Sequence, residues 1–172
     1  MLREKINEEI KKAMQAKSEL LLLVLRGINA AIKNREIEKR TKLSKTSAFV
    51  GASADKEKLE KLDKESKLTE EEVIEVISNE AKKRRDSIAE FKKGNRNDLV
   101  EKEEKELETL KKYLPEQISE DQVKEEAKKV ITEISAVGPK DTGKVMSALM
   151  PKLKGKAEGS IVSKVVNELL KG

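Results

Sequence analysis

Four lysines, Lys144, Lys152, Lys154 and Lys156, fall within the twenty residues DTGKVMSALMPKLKGKAEGS (141–160), beside three of the chain's eight glycines. Two chemistries fit such a pattern: a glycine-rich loop cradling a nucleotide, or a basic surface gripping a larger polyanion. A phosphate loop reads G-x-x-x-x-G-K-[ST] after a strand. Gly138, Gly143 and Lys144 meet that spacing, but Val145 stands where the hydroxyl belongs and Pro139 interrupts the loop. Nothing before Gly138 reads as a strand, so the nucleotide reading fails. What remains is a basic turn between two helices, opposed within the window only by Asp141 and Glu158. Helix N-termini near Asp141 and Ser160 add positive dipole ends.

A second basic group, Lys82, Arg85, Lys92 and Arg96, occurs in KKRRDS and GNRND. Without interleaved aromatics it would hold phosphates and not stack bases. Arg84 falls on an apolar stripe, seven residues after Ile77 and four before Ile88. A charge there needs a partner. Glu103, four after Leu99 and four before Leu107, occupies the matching slot on the next helix, which predicts a structural ion pair Arg84–Glu103. EKEEKE (101–106) interleaves its charges at helical spacing and reads as surface pairs, not as an acid/base site.

The chain contains no histidine and no cysteine. That removes His/Cys zinc sites, thiol nucleophiles, Ser-His-Asp relays and disulfides. No acidic loop has the ligand spacing of a calcium site. No metal, no cofactor and no catalytic residue are expected.

The elements that must position these residues are helical. Of 172 residues 41% are charged, 36% hydrophobic and 2% aromatic, which suits helices with thin apolar stripes. Ile6, Ile10 and Met14 mark the first; Leu21, Val24, Leu25, Ile28, Ala31 and Ile32, running toward Ile37, mark the second after a Ser18 cap. Gly27 inside that stripe predicts a close helix crossing. Residues 41–68 break the pattern and read as a flexible connection, with Phe49 and Val50 docking it. A short helix on Leu59 and Leu62 follows an Asp55 cap.

Capping boxes at Thr69–Glu72 and Ser119–Gln122 open two more helices. The first is expected to end at Gly94, and the next to run from about Asn97 until Tyr113-Leu114-Pro115 stops it. The second box opens a helix closed by Gly138-Pro139. Asp141 is expected to cap a short helix, Pro151 and Gly155 to turn the chain, and Gly159 to let the last helix approach closely. The expected fold is all-α: an N-terminal helical domain, 1–114, and a small three-helix domain, 117–172.

The longest apolar run, Leu20–Leu25, cannot span a bilayer, and MLREKINEEI has no hydrophobic signal core. The expectation is a cytoplasmic protein with no membrane contact. A net charge of +5 allows an RNA partner.

Three phrases carry a family resemblance: AMQAKSELLLLVLRGINAAIKNREIE, EAKKRRDSIAEFKKGNRNDLVEKEEKELETLKKYLPEQISE and DTGKVMSALMPKLKGKAEGSIVSKVVNELL. With them the chain resembles the GatB/YqeY family, in its free-standing YqeY-like form. Asn95 stands where the family phrase runs Gly-Arg directly, and Thr142 replaces a common methionine. The resemblance implies a C-terminal domain similar to the tail of the GatB subunit of tRNA-dependent amidotransferases, which engages tRNA away from the chemistry. Family labels of carbon–nitrogen ligase with glutamine as amido-N-donor describe machinery without a counterpart in these residues. The expected function is a non-catalytic tRNA-associated accessory, partnered by an amidotransferase or an aminoacyl-tRNA synthetase. RNA contacts fall on Lys144, Lys152, Lys154 and Lys156, and on Lys82, Arg85 and Arg96. The competing expectation is a protein–protein adaptor without RNA contact; a standalone amidase or ligase ranks last.

Overall fold

Apolar residues at three- and four-residue spacing build eight α-helices and no strand among the described residues, 1–46 and 56–171, of this computed structural model. The Phe49, Val50 and Asp55 expectations lie outside them. The fold is all-α, and the chain divides into units Met1–Tyr113 and Leu114–Gly172.

The first unit holds α1 (Leu2–Gln15), α2 (Glu19–Ser44), α3 (Lys56–Ser66), α4 (Glu70–Lys93) and α5 (Asn97–Lys111). Ile6, Leu25, Ile28, Ile32, Ile77 and Leu110 are fully buried and form its centre. The stripes stop short of their predicted ends: Met14 and Ile37 are 53% and 60% exposed. α2 carries helix through Ser44, so the predicted break at Thr41 comes later, and α3 buries Leu62 while Leu59 stays exposed. Tyr113 is buried, donates its hydroxyl to Glu9 and lies 5.9 Å below the Lys5 ammonium. Burial, then the Glu9 bond, pushes its phenol well above the usual range.

The second unit is a three-helix domain: α6 (Glu120–Glu133), α7 (Thr142–Leu153) and α8 (Gly159–Lys171). Val123, Val130, Val145, Leu149, Val162 and Val165 interlock at its core.

Both capping boxes form. Thr69 and Glu72 exchange bonds of 2.8 and 3.2 Å, and Ser119 and Gln122 bonds of 2.9 and 3.3 Å. Lys39 grips the first box 2.8 Å from Glu72, and that hydrogen bond holds the Glu72 carboxyl below its ordinary range. Ser18 takes the N-cap slot with no side-chain bond. Asp141 also does not cap as expected; its carboxylate reaches back to the Val137 N–H at 3.2 Å and to Lys144 at 2.9 Å.

Helix ends depart from the glycine rule. Lys17, Asn95 and Ser135 adopt φ of 50°, 54° and 52°. In each case the following N–H bonds a carbonyl five residues back: Ser18 to Ala13, Arg96 to Phe91 and Ala136 to Ile131, each at 3.0 Å. These are Schellman closures with the left-handed residue next to last. Gly94 is the C-cap, but Asn95 makes the turn. α6 closes at Ser135, before the predicted Gly138-Pro139. Pro151 lies inside α7, so the chain turns at Gly155 alone, whose φ of 76° calls for glycine.

Gly27 does not serve a helix crossing: a Cβ there would meet nothing within 4 Å. Gly159 is likewise roomy, with Met150 Cε at 3.6 Å from a built Cβ. Gly27→Ala is expected to stabilise the first unit by about 0.5–1 kcal/mol, the helix-propensity difference. Tyr113 is the only tyrosine and there is no tryptophan, so tyrosine fluorescence during urea unfolding reads this unit selectively. A loss of stability would show that something needs the bare backbone.

Candidate nucleic-acid interface

α7 and the turn after it position the basic residues. Lys144 leaves the first turn of α7 and is 76% exposed; Lys152 leaves the last turn and is 46% exposed. Lys156 is exposed and Lys154 half-buried beyond the helix end. The turn is fixed from outside: the Ile118 N–H donates to the Lys156 carbonyl at 3.0 Å, and Gln117 Nε2 to the Gly155 carbonyl at 2.6 Å. The segment entering α6 thus clamps the loop that carries the lysines.

The turn is not bare. Lys144 pairs with Asp141, and Lys152 Nζ lies 3.0 Å from Glu133 Oε2. Lys129 on α6 lies 2.6 Å from Glu126. That hydrogen bond, aided by Lys152 and Lys156, holds the Glu126 carboxyl below its ordinary range, and Glu126 in turn raises the Lys129 ammonium. Lys144 acts on Asp141 in the same way. Within 114–172 there are ten lysines and nine acidic residues, so the positive charge is local. Sequence reasoning, confined to the window, missed Glu126, Lys129 and Glu133. Their two-turn spacing along one helix was visible; their facing the turn was not.

The other basic group is divided between two sides of α4. Lys82 lines an open groove between α2 and α4, of about 800 Å³, whereas Arg85 lines a hollow between α4 and α5. Arg96 forks onto Asp98 with bonds of 3.1 and 2.9 Å, and Lys92 reaches Glu104 at 3.0 Å. The fork holds the Asp98 carboxyl low and the Arg96 guanidinium high.

Arg84 Nε donates to Glu106 Oε2 at 2.9 Å and lies 3.3 Å from Glu103 Oε2. The main acceptor is therefore Glu106, one turn beyond the predicted partner, and it is 4% exposed. Glu103 Oε2 is buried without a hydrogen bond. No group of three or more acidic side chains among the described residues is arranged to hold a metal, and no described helix is long and apolar enough to cross a membrane.

A family described as Yqey-like protein matches residues 3–51 and 45–170. Altered inheritance of mitochondria protein 41, mitochondrial, of Lachancea thermotolerans is 33% identical over 136 residues, covering 78% of this chain and 60% of its own length. Its namesake from Kluyveromyces lactis is 35% identical over 108 residues, covering 63% of this chain and 45% of its own. That of Saccharomyces cerevisiae is 35% identical over 106 residues, at 62% and 44%. The chain spans about half the length of the curated relatives it matches.

These names overturn the cytoplasmic expectation, because each relative is called mitochondrial. That expectation rested on the lack of a hydrophobic signal core, a criterion for secretion. Mitochondrial leaders are amphipathic and basic, and such a test does not see them.

Proposed function

The chain belongs to the Yqey-like protein family, and on that premise we propose that it is a non-catalytic, tRNA-associated accessory module. Lys144, Lys152, Lys154 and Lys156 of the second unit meet the phosphate backbone. The clamped turn carries this reading: Gln117 and Ile118 fix the loop backbone at Gly155 and Lys156, so three lysines project from a pre-set frame. Fixing the frame beforehand lowers the ordering cost of binding. Lysines are point charges, so the contacts supply affinity and little base preference. Lys82, Arg85 and Arg96, scattered over their unit, add charge and not a second face. An amidotransferase or an aminoacyl-tRNA synthetase is the partner class that such a module would serve.

The test is a titration of the full chain into fluorescently labelled tRNA at two salt concentrations. Four phosphate contacts predict a loss of affinity of roughly 100-fold between about 50 and 200 mM salt. Absence of binding at the lower salt would overturn the proposal. The near balance of lysines and acids in the second unit would then favour the protein–protein adaptor.

A further inference from the structure

Glu126 and Glu133 lie seven residues apart on α6, about two turns, and so share one face of that helix. Across from it stand Lys152 and Lys156, and Lys129 joins them from α6 itself. The carboxylate oxygens lie 2.6 Å from Lys129 and 3.0 Å from Lys152. Those are the distances at which an ammonium meets a phosphate oxygen.

We propose that Glu126 and Glu133 are built-in phosphate mimics, whose carboxylates fill the positions on Lys129 and Lys152 that a nucleic-acid phosphate would take. The inference rests on the backbone-binding reading above and adds what regulates that same face. Binding is then an exchange: phosphates displace intramolecular carboxylates, and the two glutamates set the affinity. Lys129, outside the glycine-rich window, becomes a phosphate contact.

Three features favour exchange over a permanent bridge. Both pairs are solvent-exposed, with Glu133 59% and Lys129 62% accessible, and exposed pairs hold weakly. Glu126 lies in the field of Lys129, Lys152 and Lys156, so more than one ammonium is at hand for an incoming phosphate. These lysines hold the Glu126 carboxyl below its ordinary range, so it competes as an anion at neutral pH.

The experiment compares the full chain with Glu126→Gln/Glu133→Gln and with each single substitution, using labelled tRNA across a salt series. Glutamine keeps the shape and removes the charge; circular dichroism checks the fold. The double variant is expected to bind at least about fivefold tighter at roughly 100 mM salt, with a slope steeper by up to about 1.8, near 0.9 per added phosphate contact. Each single variant gains less, and adding Lys129→Gln to the double variant reverses part of the gain. Equal or weaker binding by the double variant, with wild type still binding, overturns this inference alone. No binding by either protein at about 50 mM salt overturns the backbone-binding reading and this inference with it.

Discussion

Replacing Lys152, Lys154 and Lys156 together with glutamate is expected to lower tRNA affinity by on the order of 10³ at about 50 mM salt, since each lost phosphate contact removes roughly one log unit there. The substitution also places three carboxylates on the turn, near Glu126 and Glu133, and turns an attractive face into a repulsive one. The fold should survive. The broken Lys152–Glu133 pair is exposed, and such pairs contribute about 1 kcal/mol or less. The bonds that hold the turn use the backbone carbonyls of Gly155 and Lys156, which the substitutions leave in place. Fluorescence anisotropy with labelled tRNA measures the loss, and unchanged binding would remove this turn from the interface. Arg96→Gln serves as comparison: it lies in the first unit, outside the clamped turn, and its loss should change affinity by less than about threefold.

Arg84→Met should destabilise the first unit by about 3 kcal/mol, because removing one partner strands a buried charge. Glu106 is 4% exposed and accepts from the Arg84 guanidinium. Without it, Glu106 would sit beside Glu103, which already has one buried oxygen without a hydrogen bond. The Arg84 side chain is 28% exposed, which moderates the cost toward the lower end of the buried-pair range. The pair is not worth that sum in itself: Arg84→Met combined with Glu106→Leu should recover most of the loss, since a packed apolar pair replaces both charges. Urea unfolding followed by Tyr113 fluorescence reads the unit concerned. A single variant within about 0.5 kcal/mol of wild type would mean that water or another group already compensates Glu106.

The need for a partner at Arg84 was legible from its place between Ile77 and Ile88, but the identity of that partner was not. Glu103 and Glu106 both lie on the side of α5 facing α4, one turn apart. Choosing between them depends on the register of α5 against α4 across the turn at Asn95. The same limit applied to Gly27. Its cost to the helix was readable, while the open space around it was not. The division of the predicted basic strip has a similar reason. Lys82 and Arg85 are three apart on one helix, yet one lies beside α2 and the other beside α5.

By itself the sequence determined what depends on neighbours three or four residues apart: the helices among the described residues, two capping boxes, the central part of each apolar stripe and the failure of the phosphate loop at Val145. Such features are settled by local hydrogen bonding and helical periodicity. Only the tertiary structure decided which charges meet. In the sequence, Lys152, Lys154 and Lys156 have two nearby acids; in the fold α6 brings Glu133, nineteen residues away, to Lys152, and Glu126 into the field of Lys152 and Lys156. Charge acts through space, so the character of the basic turn was fixed by the packing of α6 against α7 and not by the turn itself.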